Sequence, residues 1–174
     1  MVQPPARYVP QYAFPSFSYV PGLFPPSHAA NGNGFGPASL PAYDPETPWA
    51  TSDVFWFGID LFNHGFYWEA HEAWESLWHV LGRRGSDADF LKGLIKLAAA
   101  GVKAREGRAS GVVTHALRAK EIFATLAASP THMDGRLDLA DLITFAESIA
   151  AHAEQLLDRS DAPCLTVLSR LPGT

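Results

Sequence analysis

The sequence predicts an all-α protein: a compact bundle of about five helices arranged in helical hairpins, preceded by an extended arm rich in proline and aromatics. Three observations carry this. Apolar residues from position 53 onward recur at three- and four-residue spacing, the helical period. No run alternates apolar and polar with β-branched enrichment, so no sheet is expected. Eleven of the fourteen prolines lie in residues 1–50, where they block helix and sheet interior alike.

The arm, 1–50, carries Tyr8, Tyr12, Phe14, Phe17, Tyr19, Phe24, Phe35, Tyr43 and Trp49, and its charged residues are Arg7, Asp44 and Glu46. Disordered tails are poor in aromatics, and so many rings in water would make an adhesive surface. An arm docked on the helical body, or on a neighbouring subunit in a homo-oligomer, is expected. The helical domain is placed at 51–160 and a tail at 161–174.

Ser52 or Asp53 is a good N-cap for the first helix, which Gly65 ends. The second helix runs from about Phe66 to Leu81 and sorts its residues by face. Ala70, Ala73, Trp74, Leu77 and Trp78 form a core stripe. Glu69, His71, Glu72, Glu75, Ser76 and His79 fall opposite. Trp68 is the odd ring on that polar arc and a natural partner for the proline-rich arm. The third helix, from Ser86 or Asp87 to about Glu106, is apolar nearly all round apart from a row of Lys92, Lys96 and Lys103, so it should be central and buried. The fourth, about Ser110 to Leu126, turns Val112, Ala116, Ala119, Ile122, Phe123 and Leu126 inward, with His115 on the same arc. Ser129-Pro130 breaks the chain. The fifth starts with Asp138 as N-cap and is expected to reach Asp158. The tail should fray or form one short docked turn. The two hairpins share a glycine at the turn but do not align further, so no true repeat is inferred.

Composition narrows the function classes. A net charge of −5 does not predict nucleic-acid binding. No apolar run approaches the roughly 20 residues of a membrane span. The single cysteine, Cys164, excludes an intrachain disulfide framework and a cysteine-rich zinc site. It has no histidine near it in sequence, so a nucleophile role is not expected. His132 and His152 carry no signal. No basic segment followed by an apolar run opens the chain, and a cytoplasmic location is expected.

The chemistry lies on the second helix. His71, Glu75 and His79 stand at i, i+4 and i+8; Glu69, Glu72 and Glu75 at i, i+3 and i+6. Carboxylates at that spacing repel by roughly 0.2–0.5 kcal/mol per pair, so a positive partner is expected: a metal ion, a lysine row, or protons. His71-Glu72-x-x-Glu75 is close to the zincin pattern His-Glu-x-x-His with Glu75 in place of the second histidine. In a metal reading, His71 and Glu75 are ligands to a divalent ion such as zinc, and Glu72 and Glu69 are the acid/base groups. The third ligand would come from His79, His115, His64 or His28. In a structural reading, the three glutamates face Lys92, Lys96 and Lys103 across the contact between the second and third helices. A solvated face is the remaining alternative.

Phe62-Asn63-x-Gly65-x-Tyr67-x-Glu69-x-His71-Glu72-x-x-Glu75-x-x-Trp78 resembles the signature of domain-of-unknown-function family 309. Phe90-Leu91-x-Gly93-Leu94-Ile95, with the alanine run after it, resembles that family's second block. The resemblance covers about Asp53 to Leu126, and Tyr19-Val20-Pro21-Gly22-Leu23 resembles the extension of some longer members. It implies a small all-helical bundle. Such proteins have been labelled predicted metal-dependent hydrolases, so the resemblance adds that activity class to the expectation. Lys92 and Lys96 stand where glutamine is common in the family, and Val102 near a position where histidine is often found. Two functions follow: a metal-assisted or acid/base hydrolase, or a non-catalytic binding or assembly module, the partner in either case an unidentified small molecule or protein. In the second, the Glu/His/Lys network, with Tyr67 and His115, sets the helix packing.

Overall fold

Ser52 opens the first helix as its N-cap, its Oγ accepting from Phe55 N at 3.3 Å. In the computed structural model, residues 5–129 and 137–174 are described. Five α-helices follow in order: α1 Asp53–Asn63, α2 Tyr67–Val80, α3 Ser86–Arg105, α4 Ala109–Ala127 and α5 Leu139–Ala151. Two 3-10 turns, Pro37–Ser39 and Trp49–Thr51, precede them, and no strand occurs among the described residues. Each helix packs on the next in the chain, the all-α bundle of hairpins that the periodicity predicts. Pro130 and His132 lie outside the described residues.

α3 is central because it is apolar on almost every side. Phe90, Leu91, Leu94, Leu97, Ala98, Ala100 and Val102 are all buried. Close approach depends on its glycines: a Cβ on Gly101 would lie 2.5 Å from the Tyr67 ring, so α2 rests directly on α3's backbone there. On α4 the six residues expected inward are all buried.

α5 begins as expected, Asp138 Oδ1 accepting from Ala140 N (2.8 Å) and Asp141 N (3.1 Å). It ends at Ala151 rather than Asp158. The buried Arg105 at the end of α3 draws the following chain away. Its guanidinium donates to the carbonyls of Asp158 (3.3 Å), Ser160 (3.0 Å) and Ala162 (3.1 Å), while Asp158 N donates to Ala104 O (3.2 Å). A helix continued to Asp158 would instead give that N–H to Glu154 O.

The tail does not fray. Tyr67 Oη accepts from Val167 N (3.0 Å) and Leu168 N (2.9 Å). Asn63 Oδ1 accepts from Leu171 N at 3.0 Å, and its amide donates to Thr174 Oγ1 at 2.9 Å. Leu168 and Leu171 enter the core. Gly65, at φ +85°, closes the α1–α2 turn, and the tail backbone lies flat upon it; a Cβ there would sit 2.6 Å from Leu165 C.

The arm docks on its own body. Asp60, 1% exposed on α1, accepts from Tyr8 N (2.8 Å) and Val9 N (3.0 Å), with Arg7 Nε 3.7 Å away. Tyr12 Oη donates to Asp53 at 2.9 Å. Phe14 meets Phe57 and Phe66, and its other face carries the Arg7 guanidinium. Val9, Val20 and Phe35 are buried. No helix among the described residues is long and apolar enough to cross a membrane.

Candidate functional site

α2 positions the residues singled out for chemistry, and its inner stripe forms as the period requires: Ala70, Ala73, Trp74 and Leu77 are buried. Trp74 lies against Gly58 of α1, its indole N–H donating to Phe55 O at 3.3 Å. Trp78 is half-buried, with the Arg83 guanidinium over its ring.

The outer arc divides in two. Glu69 is 0% exposed, and it faces the arm rather than the lysines. Its Oε2 accepts from Ser18 Oγ at 2.8 Å; its Oε1 accepts from Tyr19 N at 2.9 Å and Asn33 Nδ2 at 2.7 Å. Burial raises its carboxyl above the ordinary range, and these donors oppose the rise. A carboxyl enclosed in this way does not meet a substrate. Tyr67 is likewise away from the arc. Its hydroxyl is committed to the tail, and burial pushes it well above the usual phenol range.

His71, Glu72 and Glu75 come together. Each offers one ligand atom, and the three atoms lie within 4.8 Å of one another. His71 Nδ1 is 3.5 Å from Glu72 Oε1 and 3.8 Å from Glu75 Oε2. These are ion-pair distances without a hydrogen bond, and the buried Nδ1 atom makes none. The Trp68 ring stacks on the imidazole at 6.0 Å and 22°. Tyr19 of the arm meets Trp68 edge-on at 4.8 Å and 83°, so the arm is the partner expected for that indole.

Glu72, read from sequence as a base, stands in the cluster with His71 and Glu75, and among the described residues no further histidine joins it. His79 Nε2 lies 3.8 Å from Glu75 Oε1, but its Nδ1 accepts from Arg83 Nε at 2.9 Å. A neutral ring accepting at Nδ1 carries its proton on Nε2, so neither nitrogen is free to ligate. Both ring nitrogens of His64 face carbonyls, Asp60 O at 2.7 Å and Pro5 O at 3.1 Å. His28 is exposed on the arm.

The lysine row does not pair with the glutamates. Among the described residues no ion pair joins Glu69, Glu72 or Glu75 to Lys92, Lys96 or Lys103. Lys103 donates to both oxygens of Glu106 at 2.9 Å, and Arg108 Nε lies 3.2 Å from the same carboxylate. The Lys103 stem crosses Gly111 of α4. Lys92 lines a groove of about 160 Å³ between α3 and α4 with Asp89, Arg118 and Glu121. The cations do share a field: burial, then Lys96, Lys103 and His71, hold the half-buried His115 below the ordinary imidazole range, and Glu106 opposes them.

Several polar anchors escaped the sequence reading. Asp60, Asn63 and Arg105 are all buried. The usable signal was an acidic or amide side chain on the apolar arc of a helix, because a buried polar group needs a partner. The partners themselves, 51 to 111 positions away, left no mark on the local pattern. Cys164 donates to His64 O, and burial pushes its thiol up to about 12, far from a reactive thiolate.

No curated protein and no solved structure matches the chain. Residues 55–115 match the family described as Domain of unknown function (DUF309). That segment holds Asp60, Asn63, Tyr67, Glu69 and the His71 cluster, whereas the arm and tail groups they bind lie outside it. Over this segment, from the first turn of α1 into α4, the chain is similar to the DUF309 family.

Proposed function

We propose that this protein binds a divalent transition-metal ion through His71, Glu72 and Glu75, and that metal-assisted hydrolysis is the activity class to assay. One observation carries the reading: a buried imidazole nitrogen without a hydrogen bond, with two carboxylates converging on it at 3.5 and 3.8 Å. One imidazole and two carboxylates suit zinc, and three protein ligands leave a position open for water or substrate. A bound ion of this kind supplies Lewis-acid polarisation or a water of lowered pKa. Around it, Trp68 shields one face of His71, and the exposed His79 stands beside Glu75.

The test is calorimetric titration of zinc into chelator-stripped full-length protein. One equivalent should bind. His71→Ala should abolish binding, Glu75→Gln should weaken it, and His79→Ala should leave it nearly unchanged. Absence of stoichiometric binding, or undiminished binding by His71→Ala, would overturn the reading.

A second reading, the non-catalytic assembly module, has its own support. Asn63, Tyr67 and Glu69 of the motif are spent on holding the arm and tail. On this reading the motif is a set of sockets that organises the ends of the chain around α1 and α2.

A further inference from the structure

We propose that the N-terminal arm positions His71 for its metal, with Tyr19 and Trp68 as the positioning residues. This rests on the metal reading above. The contacts form one continuous series. Glu69 fixes the arm at two places, through Ser18 and Tyr19 on one segment and through Asn33 on another. Asn33 also donates to Phe17 O at 2.8 Å, tying the two segments together. The Tyr19 backbone is therefore held at the carboxylate, and its ring is set edge-on to Trp68 at 4.8 Å. Trp68 precedes His71 by three residues on α2, so the two side chains are neighbours on the helix surface. The indole lies nearly parallel to the imidazole, 22° between planes.

A surface histidine turns about two side-chain bonds, and ligand geometry demands one setting of both. A broad ring against one face removes much of that freedom before the ion arrives, a saving in ordering entropy on binding. Tyr19 braces the indole from the arm, beside its packing on the core. Neighbours of this kind, which orient ligands without touching the ion, alter metal affinity by about 10- to 100-fold when changed. Linkage makes the effect reciprocal: an arm that favours the ion is itself held more firmly once the ion is bound.

The experiment uses the full-length chain. Zinc affinity is measured for wild type, Tyr19→Ala, Tyr19→Phe, Trp68→Leu and Tyr12→Phe, with a parallel ¹H–¹⁵N spectrum of the metal-free histidine side chains. Trp68→Leu should weaken zinc by about tenfold, Tyr19→Ala by a smaller factor, and Tyr19→Phe, which keeps the ring edge, should restore wild-type affinity. Tyr12→Phe loses an arm contact to Asp53 and should leave affinity unchanged. The His71 ring signals should move in Tyr19→Ala and return in Tyr19→Phe. Equal zinc affinity in wild type, Tyr19→Ala and Trp68→Leu overturns the proposal and leaves the metal site standing. Should wild type bind no zinc, the metal reading falls. The metal-free spectra then decide whether the arm sets His71: signals unchanged by Tyr19→Ala overturn that, and shifted signals uphold it.

Discussion

Replacing Glu69 by alanine should destabilise the protein by about 3 kcal/mol and release the arm. The carboxylate is 0% exposed and receives three hydrogen bonds, two from side chains and one from the Tyr19 backbone. A buried donor left without its partner costs about 1–3 kcal/mol. The three costs do not add in full, because the donors belong to one arm and can move together into water. The total therefore stays near the cost of one or two. Against a typical overall stability of about 5–15 kcal/mol this is a large fraction. Glu69→Gln should be far milder, within about 1 kcal/mol of wild type. The amide keeps a carbonyl for Tyr19 N and Asn33, the Ser18 hydroxyl can accept instead of donate, and burial already raises the carboxyl above its ordinary range. Urea unfolding followed by tryptophan fluorescence gives the stability, and limited proteolysis reports cleavage within residues 5–36. An alanine variant as stable as wild type, with its arm equally protected, would refute the assignment of Glu69 as the arm's socket.

Tyr67→Phe should cost about 1–3 kcal/mol, because the amides of Val167 and Leu168 lose their acceptor while Leu168 stays buried. Faster trimming of the tail by a carboxypeptidase, and a lower urea midpoint, check it. His115 supplies the pH dependence. Its folded pKa lies below the ordinary imidazole value, so its contribution is present above that value and is lost as pH falls through the folded one. Stability should therefore decline from pH 7 toward 5, and His115→Asn should flatten that slope in urea titrations at each pH.

The sequence was most legible where one helix face decides the matter alone. The inward residues of α4 were all identified, since burial against a neighbour needs only the 3.6-residue period. His71, Glu72 and Glu75 could be seen to share a face, because three residues within one turn and a half keep their relation wherever the helix docks. The role of Glu69 could not be seen. By period it belongs with Glu72, and only the arm folding back over α2 buries it. The same holds for Tyr67, whose hydroxyl accepts from amides of a tail 100 residues away.

Length, composition and period pointed to an all-α bundle, to helix starts at Ser52 or Asp53 and at Asp138, and to a docked rather than dispersed arm. These follow from local geometry and from the cost of leaving aromatic rings in water. Tertiary structure alone decided which motif residues became sockets for the chain ends and which stayed available to a ligand. It also decided where α5 stops, because Ala104 O takes the Asp158 N–H that a longer helix would give to Glu154 O. Hydrogen bonds between distant segments depend on how helices and arm come to rest against each other, and no periodicity along the chain encodes that.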